Sequence, residues 1–399
     1  MTMDIFDEPY YKTARKFGVM IGQWPYQKRA QSVLHVTIFW TAMWLQTIPQ
    51  IIAMVKYSHD PDILIEALSP FIIDLIFIAK YINSIYHAKV MKELFDRIKL
   101  NWGLLINDKE RKILLHHSKF GQWVAVRYAA FVYSACIMYI LEPMIPWIIS
   151  IIYKSNNPVP RKFSLPLEYL IFDQDKYYWL LLIISNVFLL LIMSVVIACD
   201  VLLVTCVHHV TGLFAVVGFR IENPPPRVEI RQSDSQKNNF STLRDAQYEH
   251  YVSCVKAHSR ALKYAELLET NFSISLGAVV ALNLPLMSVT GVQLITQSNK
   301  IEQTIKNVMY IVAQSVHLYF DCFLSEKLID MSMNIQRCIA KAQWYDNSTK
   351  SQKLLMLMTI RSQKPCKLTA GKIIELTIEN FGMMMKTAGS YFTVLLSTR

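Results

Sequence analysis

The sequence predicts an all-α integral membrane protein with seven transmembrane helices, a cytosolic N-terminus, an extracellular C-terminus, a long fourth helix and cytosolic anchor helices. Three observations predict it. Long apolar runs recur along 399 residues that are 53% hydrophobic, with a mean hydropathy of +0.26. Charged residues make up 18% of the chain, where a soluble protein carries about a quarter. Lys and Arg gather in alternate linkers, the pattern that orients helices in a bilayer.

Seven stretches are long enough to span ~30 Å of hydrocarbon, which takes about 20 helical residues. They run over 33–55, 63–86, 126–152, 177–205, 272–296, 304–328 and 373–397. The first is uncharged, and the second is weakened by Glu66, Asp74 and Lys80. The fourth apolar run continues to Phe219 with Asp200 its only charge. At 1.5 Å per residue that is ~65 Å of helix, twice the hydrocarbon thickness, so it must project into water or break.

Counting Lys and Arg decides the orientation. Residues 1–32, 87–124, 209–270 and 329–372 hold 29 of them, and the opposite side holds seven. The basic side is cytosolic, which places the N-terminus inside. The net charge of +11 is thereby explained by membrane orientation, with no nucleic-acid partner. Three N-x-[ST] sequons, at Asn239, Asn271 and Asn347, fall on or beside the cytosolic side, so their glycosylation tests the topology.

The cytosolic linkers carry structure of their own, and an anchor is expected from about 206–270 and 329–372. Residues 243–270 and 349–361 place apolar residues at helical spacing among charges, as helices that pack on one another do. Residues 222–241 contain Pro224-Pro225-Pro226 and read as a loop.

Motifs for chemistry are missing. Seven dispersed cysteines form no CxxC pair and no disulfide framework. The pairs His116-His117 and His208-His209 are adjacent, hence about 100° apart on a helix, a poor bidentate site. There is no phosphate loop, nucleophile elbow or HExxH, so neither an enzyme nor a bound cofactor or metal is expected. Lys386 in the last span reads as a lysine in a polar conduit rather than a Schiff-base site. The third span lacks an acidic-Arg pair and the last lacks Asn-Pro-x-x-Tyr, which argues against a G-protein-coupled receptor. No inverted repeat suggests a transporter.

The last span is the most informative segment. Met383, Thr387, Ser390 with Tyr391, Val394 and Thr398 recur every three or four residues and share one face. One reading is close helix packing by small residues. The other is a pore wall whose apolar end gates by dewetting, with Glu375 and Glu379 attracting cations near its cytosolic end.

The C-terminal third resembles the insect odorant receptor family. The residues that carry the resemblance are Gln343-Trp344-Tyr345, Arg361-Ser362-Gln363-Lys364-Pro365-Cys366, Leu368-Thr369-Ala370-Gly371-Lys372, Phe381, Lys386-Thr387, Ser390-Tyr391-Phe392 and Val394-Leu395. Tyr10-Tyr11 and Gly22-x-Trp24-Pro25 look like the family's opening. The resemblance implies four subunits around a central pore lined by one last-span helix each, in the plasma membrane of sensory neurons. It implies an odorant-tuning subunit in a hetero-tetramer with the family's co-receptor, because the second cytosolic loop is short. Val394 matches the family's outer hydrophobic gate. Thr398 stands at a second gate position that is often apolar in the co-receptor.

The family binds odorants in the outer halves of the second, third, fourth and sixth spans. Here those are about 64–75, 135–147, 177–189 and 304–314. Candidate lining residues are Phe71, Leu75, Cys136, Tyr139, Ile140, Tyr178, Leu182, Ser185, Tyr310 and Gln314. Such walls suit small volatile, mainly apolar ligands held by burial. Glu142, before Pro143, is expected to be hydrated at the membrane interface. The alternative is a gustatory-type channel subunit, which the Lys-Thr…Ser-Tyr-Phe run opposes.

Overall fold

The computed structural model describes residues 4–153, 163–170, 172–225, 237–296 and 301–397. Among them, eleven α-helices and one two-stranded hairpin account for the regular structure beyond short 3₁₀ turns. The helices are α1 Pro9–Met20, α2 Arg29–Lys56, α3 Pro61–Tyr86, α4 Ala88–Gly103, α5 Asp108–Leu141, α6 Ile145–Ile152, α7 Tyr178–Glu222, α8 Lys237–Thr296, α9 Ile301–Lys341, α10 Thr349–Ser362 and α11 Ile378–Ser397. Five helical stretches are long and apolar enough to cross a membrane: α2, the stretch from α5 through α6, α7, α8 from Gln247, and α9 from Gln303.

Several elements are longer than the sequence reading expects. The 243–270 helix and the stretch at 272–296 are one helix, α8, because no glycine or proline interrupts residues 243–276. Likewise α5 extends back to Asp108, where Asn107 caps it by accepting from the Glu110 amide at 3.0 Å. Its outer end stops at Leu141, where Glu142–Met144 turns the chain into α6 around Pro143. Most of the expected 222–241 loop lies outside the described residues.

Helix α7 is the pillar of the molecule. Its 45 residues run unbroken, ~68 Å at 1.5 Å per residue. From Ser194 to Ile221 nearly every position is buried, so this half is enclosed on all faces. The outer part instead exposes Trp179, Leu180, Ile183 and Val187. Helices α1, α2, α3, α5, α8 and α9 all pack on it. Helix α5 comes close at Gly121, where a Cβ would lie 2.7 Å from the His208 Cβ.

Charges in the apolar runs are paired across helices. Lys80 of α3 forms a salt bridge with Asp200 of α7 and donates to His317 Nε2 of α9 at 2.9 Å. Tyr128 of α5 donates to the second Asp200 oxygen at 2.8 Å. Four helices therefore meet at one polar knot, in which the carboxylate offsets the ammonium.

The 206–222 half of α7 is wrapped by α1, α5, α8 and α9, and Asn101 of α4 lies 3.3 Å from His209 Nε2. Glu110 of α5 takes both arms of Arg220, at 2.9 and 2.7 Å, with both side chains buried. The Tyr11 hydroxyl accepts from Trp102 Nε1 at 3.0 Å and lies 3.2 Å from His209 Nδ1. Phe6, Tyr11, Trp24 and Phe95 pack edge-to-face around it. The opening residues Tyr11 and Trp24 thus serve as the core of this region. Asn271 and Asn347 are buried, the latter donating to the Tyr251 hydroxyl at 3.1 Å, so the folded chain hides both sequons.

Two outcomes follow for this inner region. Glu110→Ala strands Arg220 without its carboxylate and is expected to cost about 3–5 kcal/mol; unchanged thermal unfolding in detergent would contradict the pairing. Burial also pushes the pKa of both His208 and His209 down to about 3, well below the ~6.5 of an unfolded histidine. Stability is therefore full above about pH 6.5 and lost as pH falls toward the folded values, by about 1.4 kcal/mol per pH unit for each histidine. Melting temperatures across a pH series check this, and His209→Gln should flatten the acid limb.

Candidate functional site

A cavity of about 330 Å³ lies between α2, α3, α5, α6, α7 and α9. Proline shapes its wall. Pro70 sits inside α3, and nearby carbonyls find side-chain donors: Ile65 O accepts from Gln293 Nε2, and Ser69 O from the Tyr310 hydroxyl at 3.3 Å. Residues 163–170 fold back over α2. The Glu168 amide donates to Pro49 O at 3.1 Å, the Glu168 carboxylate pairs with Lys56 at 2.6 Å, and Leu165 enters the cavity wall.

Helix α9 presents Ile305, Lys306, Met309, Tyr310 and Ala313 at helical spacing, and α5 presents Val132, Ala135, Cys136 and Tyr139. Leu189 and Met193 of α7 complete a mainly apolar lining. Tyr139 and Tyr310 stack with ring centres 6.1 Å apart. Lys306 lies 5.5 Å from the centre of the Tyr139 ring, 3.4 Å from Glu66 and 3.9 Å from Glu142. Glu142 is therefore a cavity residue facing an ammonium, not the hydrated interface group its position before a proline suggests. A second polar spot joins Gln50 of α2 to Asp74 of α3, whose carboxylate accepts from Thr47 at 2.7 Å.

Of the ten ligand candidates, Cys136, Tyr139 and Tyr310 line this cavity. Phe71, Leu75 and Ile140 are half-buried beside it and do not line it. On α3 the lining residues are Pro70, Ile73 and Asp74, one position away on the helix. Glu66, Pro70 and Asp74 follow at four-residue spacing, a signal that could have found this face. On α7 the candidates lie too near the outer end. Tyr178 packs on Phe163 and Trp179, Leu182 is buried, and Ser185 accepts from Gln46 at 3.2 Å. Gln314 is buried next to the lining residue Ala313 without lining the cavity itself. Gln50, Asp74 and Lys306 were missed because charged and amide groups in an apolar run read as flaws in a span.

The terminal helix forms the second candidate region. Strands β1 Thr369–Ala370 and β2 Ile374–Glu375 make a hairpin whose turn places Gly371 and Lys372 at positive φ. Gly277 of α8 receives this turn: a Cβ there would lie 2.7 Å from the Gly371 nitrogen. Consequently α11 starts at Ile378, not 373, and Glu326 of α9 accepts from the Ile378 amide at 3.1 Å. Glu375 sits in the hairpin and pairs with Lys367, so it shares no helical face with Glu379, which is exposed in the first turn of α11.

Helix α11 packs on α8 and α9 through Met384 and Ala388, with Ser288 donating to the Ala388 carbonyl at 2.9 Å. Met383, Thr387, Tyr391 and Val394 are exposed on this single chain. Thr398 lies outside the described residues. The stripe read from the sequence is therefore the face that α8 and α9 leave uncovered.

Asp200, His317 and Asp321 bring a metal-like set of donor atoms within 4.8 Å of one another. Lys80 occupies the His317 Nε2 lone pair and balances Asp200, so two of the three donors already serve an internal cation, while Asp321 accepts no hydrogen bond among the described residues.

Comparison with known proteins places this geometry. The family model described as 7tm Odorant receptor matches residues 60–389. Odorant receptor 13a of Drosophila melanogaster is 23% identical over 278 residues, which cover 65% of this chain and 63% of that receptor. Odorant receptor 67a of the same species is 26% identical over 163 residues, 41% of this chain and 40% of that receptor. The chain thus spans less than two thirds of the length of these curated relatives. The structure of the insect olfactory receptor OR5 from Machilis hrabei in complex with eugenol shares the fold, with a TM-score of 0.76 over 98% of this chain and 100% of that one at 13% identity. The chain belongs to the 7tm odorant receptor family, a family of receptors and not of enzymes.

Proposed function

We propose that this chain is an odorant-tuning subunit of a ligand-gated cation channel. It binds small volatile molecules in the cavity between α3, α5, α7 and α9 and works in a hetero-tetramer with the odorant receptor co-receptor in the plasma membrane of sensory neurons. The observation that carries the reading is a mainly apolar cavity among the helices that the charge count places on the outer side, within a chain of this family. Its walls fall in the segments that the positive-inside rule assigns to the outer leaflet. The eugenol complex of the Machilis receptor supports a small-molecule ligand. Ligands of about 8–15 heavy atoms, at ~0.5 kcal/mol each, reach micromolar affinity.

In this reading α3 and α11 add to the five apolar crossings, giving seven. The acidic and basic groups of α3 cross because each has a partner inside the bundle: Asp74 with Thr47, Lys80 with Asp200, Glu66 with Lys306. The uncovered face of α11, with Met383, Thr387, Tyr391, Val394 and Thr398, lines the pore together with the same helices of three other subunits. Glu379 attracts cations at its inner end. Val394 narrows the outer end, and opening lets that ring wet. Ligand occupancy shifts the balance only by its higher affinity for the open state.

Co-expression with the co-receptor and recording of odorant-evoked current tests the reading. Tyr139→Ala and Tyr310→Ala should each raise the half-maximal odorant concentration about tenfold or more, equivalent to about 1.4 kcal/mol, without changing surface delivery. Val394→Gln should raise the current without odorant, since a polar ring stays wet. Absence of odorant-evoked current from surface-delivered wild-type protein across a broad panel overturns the channel reading.

A further inference from the structure

The cavity is not uniformly apolar, and its polar part is built rather than incidental. Gln50 is 1% exposed, lines the cavity, and neither its carbonyl oxygen nor its amide nitrogen has a hydrogen-bond partner among the described residues. It stands in the same wall as Asp74, whose carboxylate accepts from Thr47 at 2.7 Å. A buried amide oxygen without a donor is costly, and a ligand that supplies the donor removes that cost. We propose that Gln50, with both ends of its buried amide open to the cavity, is a specificity-determining anchor that selects ligands bearing a neutral hydroxyl, an alcohol or a phenol, over the matching ether or hydrocarbon.

Charge narrows the class. The Lys306 ammonium lines the same cavity as the Asp74 and Glu142 carboxylates. Lys306 and Glu142 already face each other at 3.9 Å, and a ligand with a net charge of either sign loses its hydration in a mainly apolar volume. A hydroxyl donates to the Gln50 carbonyl oxygen without carrying charge, and its carbon skeleton packs on the apolar wall and the Tyr139–Tyr310 pair. An ether of the same size fills the same volume and can accept from the Gln50 amide nitrogen, but it leaves the carbonyl oxygen without a donor. A site built to hydrogen-bond a hydroxyl discriminates strongly against the analogue that lacks it.

This inference rests on the odorant-receptor reading of the cavity, and the test separates the two. A panel of six- to ten-carbon alcohols and phenols is paired with the methyl ethers nearest in size. Each compound is applied to the receptor co-expressed with the co-receptor, and each is also scored for thermal stabilisation of the purified chain. In the wild type the best alcohol should act at a concentration about tenfold or more below its ether. Gln50→Leu should bring the pair to within about threefold while the ether still acts, which reports a folded receptor. A wild type that responds equally to alcohol and ether, by current or by stabilisation, overturns the inference, as does a Gln50→Leu receptor that keeps the preference. If Gln50→Leu is not delivered, the wild-type comparison alone decides. Alcohol-specific stabilisation without any current would retain the anchor and refute the channel reading instead.

Discussion

A buried ammonium in a helical bundle needs a carboxylate, and the meeting of Lys80 with Asp200 sets how the central helices stand. Asp200 is the single charge in an otherwise apolar run of α7. Lys80 reaches it from α3, Tyr128 from α5, and His317 of α9 accepts from the same lysine. Apolar side chains alone tolerate sliding and rotation among similar neighbours, whereas an ion pair admits one register. The knot therefore fixes the rotation of α3, α7 and α9, and that rotation decides which of their side chains face the outer cavity.

Along α7 the chemistry changes in order: lipid-like exposed Trp179 and Ile183, then the cavity residues Leu189 and Met193, then the knot, then the enclosed His208, His209 and Arg220. Helix α9 runs a parallel course. Tyr310 lines the cavity, His317 joins the knot, Ser325 bonds the Leu368 amide at 2.9 Å, and Glu326 caps α11. One continuous helix thus touches both the cavity and the start of the terminal helix. Such continuity is the material from which a displacement at the cavity can reach α11, since packed helices move as bodies rather than deform.

The inner region is held by different means from the outer one. Glu110 with Arg220, the Tyr11–His209–Trp102 contacts and the Phe6–Trp24–Phe95 cluster are packing of a soluble kind, in which Glu110, Arg220, Tyr11 and Trp102 find partners on other elements. The outer region leaves Trp44, Ile48, Ile137 and Ile183 exposed, as helices that face hydrocarbon do. The hairpin at 369–375, seated on Gly277, connects the two and sets where α11 begins.

Much of this was legible in the chain itself. Apolar run length marked the helices, and Gln343-Trp344-Tyr345 with Ser390-Tyr391-Phe392 marked the family, because both signals are local in sequence. Helical spacing also found the uncovered stripe on α11. It could not find Pro70, Asp74 or Gln50 as cavity residues, since periodicity gives a helix its faces without saying what each face meets. The hairpin escaped for a related reason: Lys372-Ile373-Ile374-Glu375-Leu376 has the pattern of a helix start, and only the seat on Gly277 turns it. What the sequence determined by itself was composition along one dimension: which segments are helical, which are apolar, and which side carries the cations. The tertiary structure decided rotation and partnership, because a buried Lys80, Gln50 or Glu110 acquires its meaning from a residue distant in the chain that closes within 3 Å or fails to.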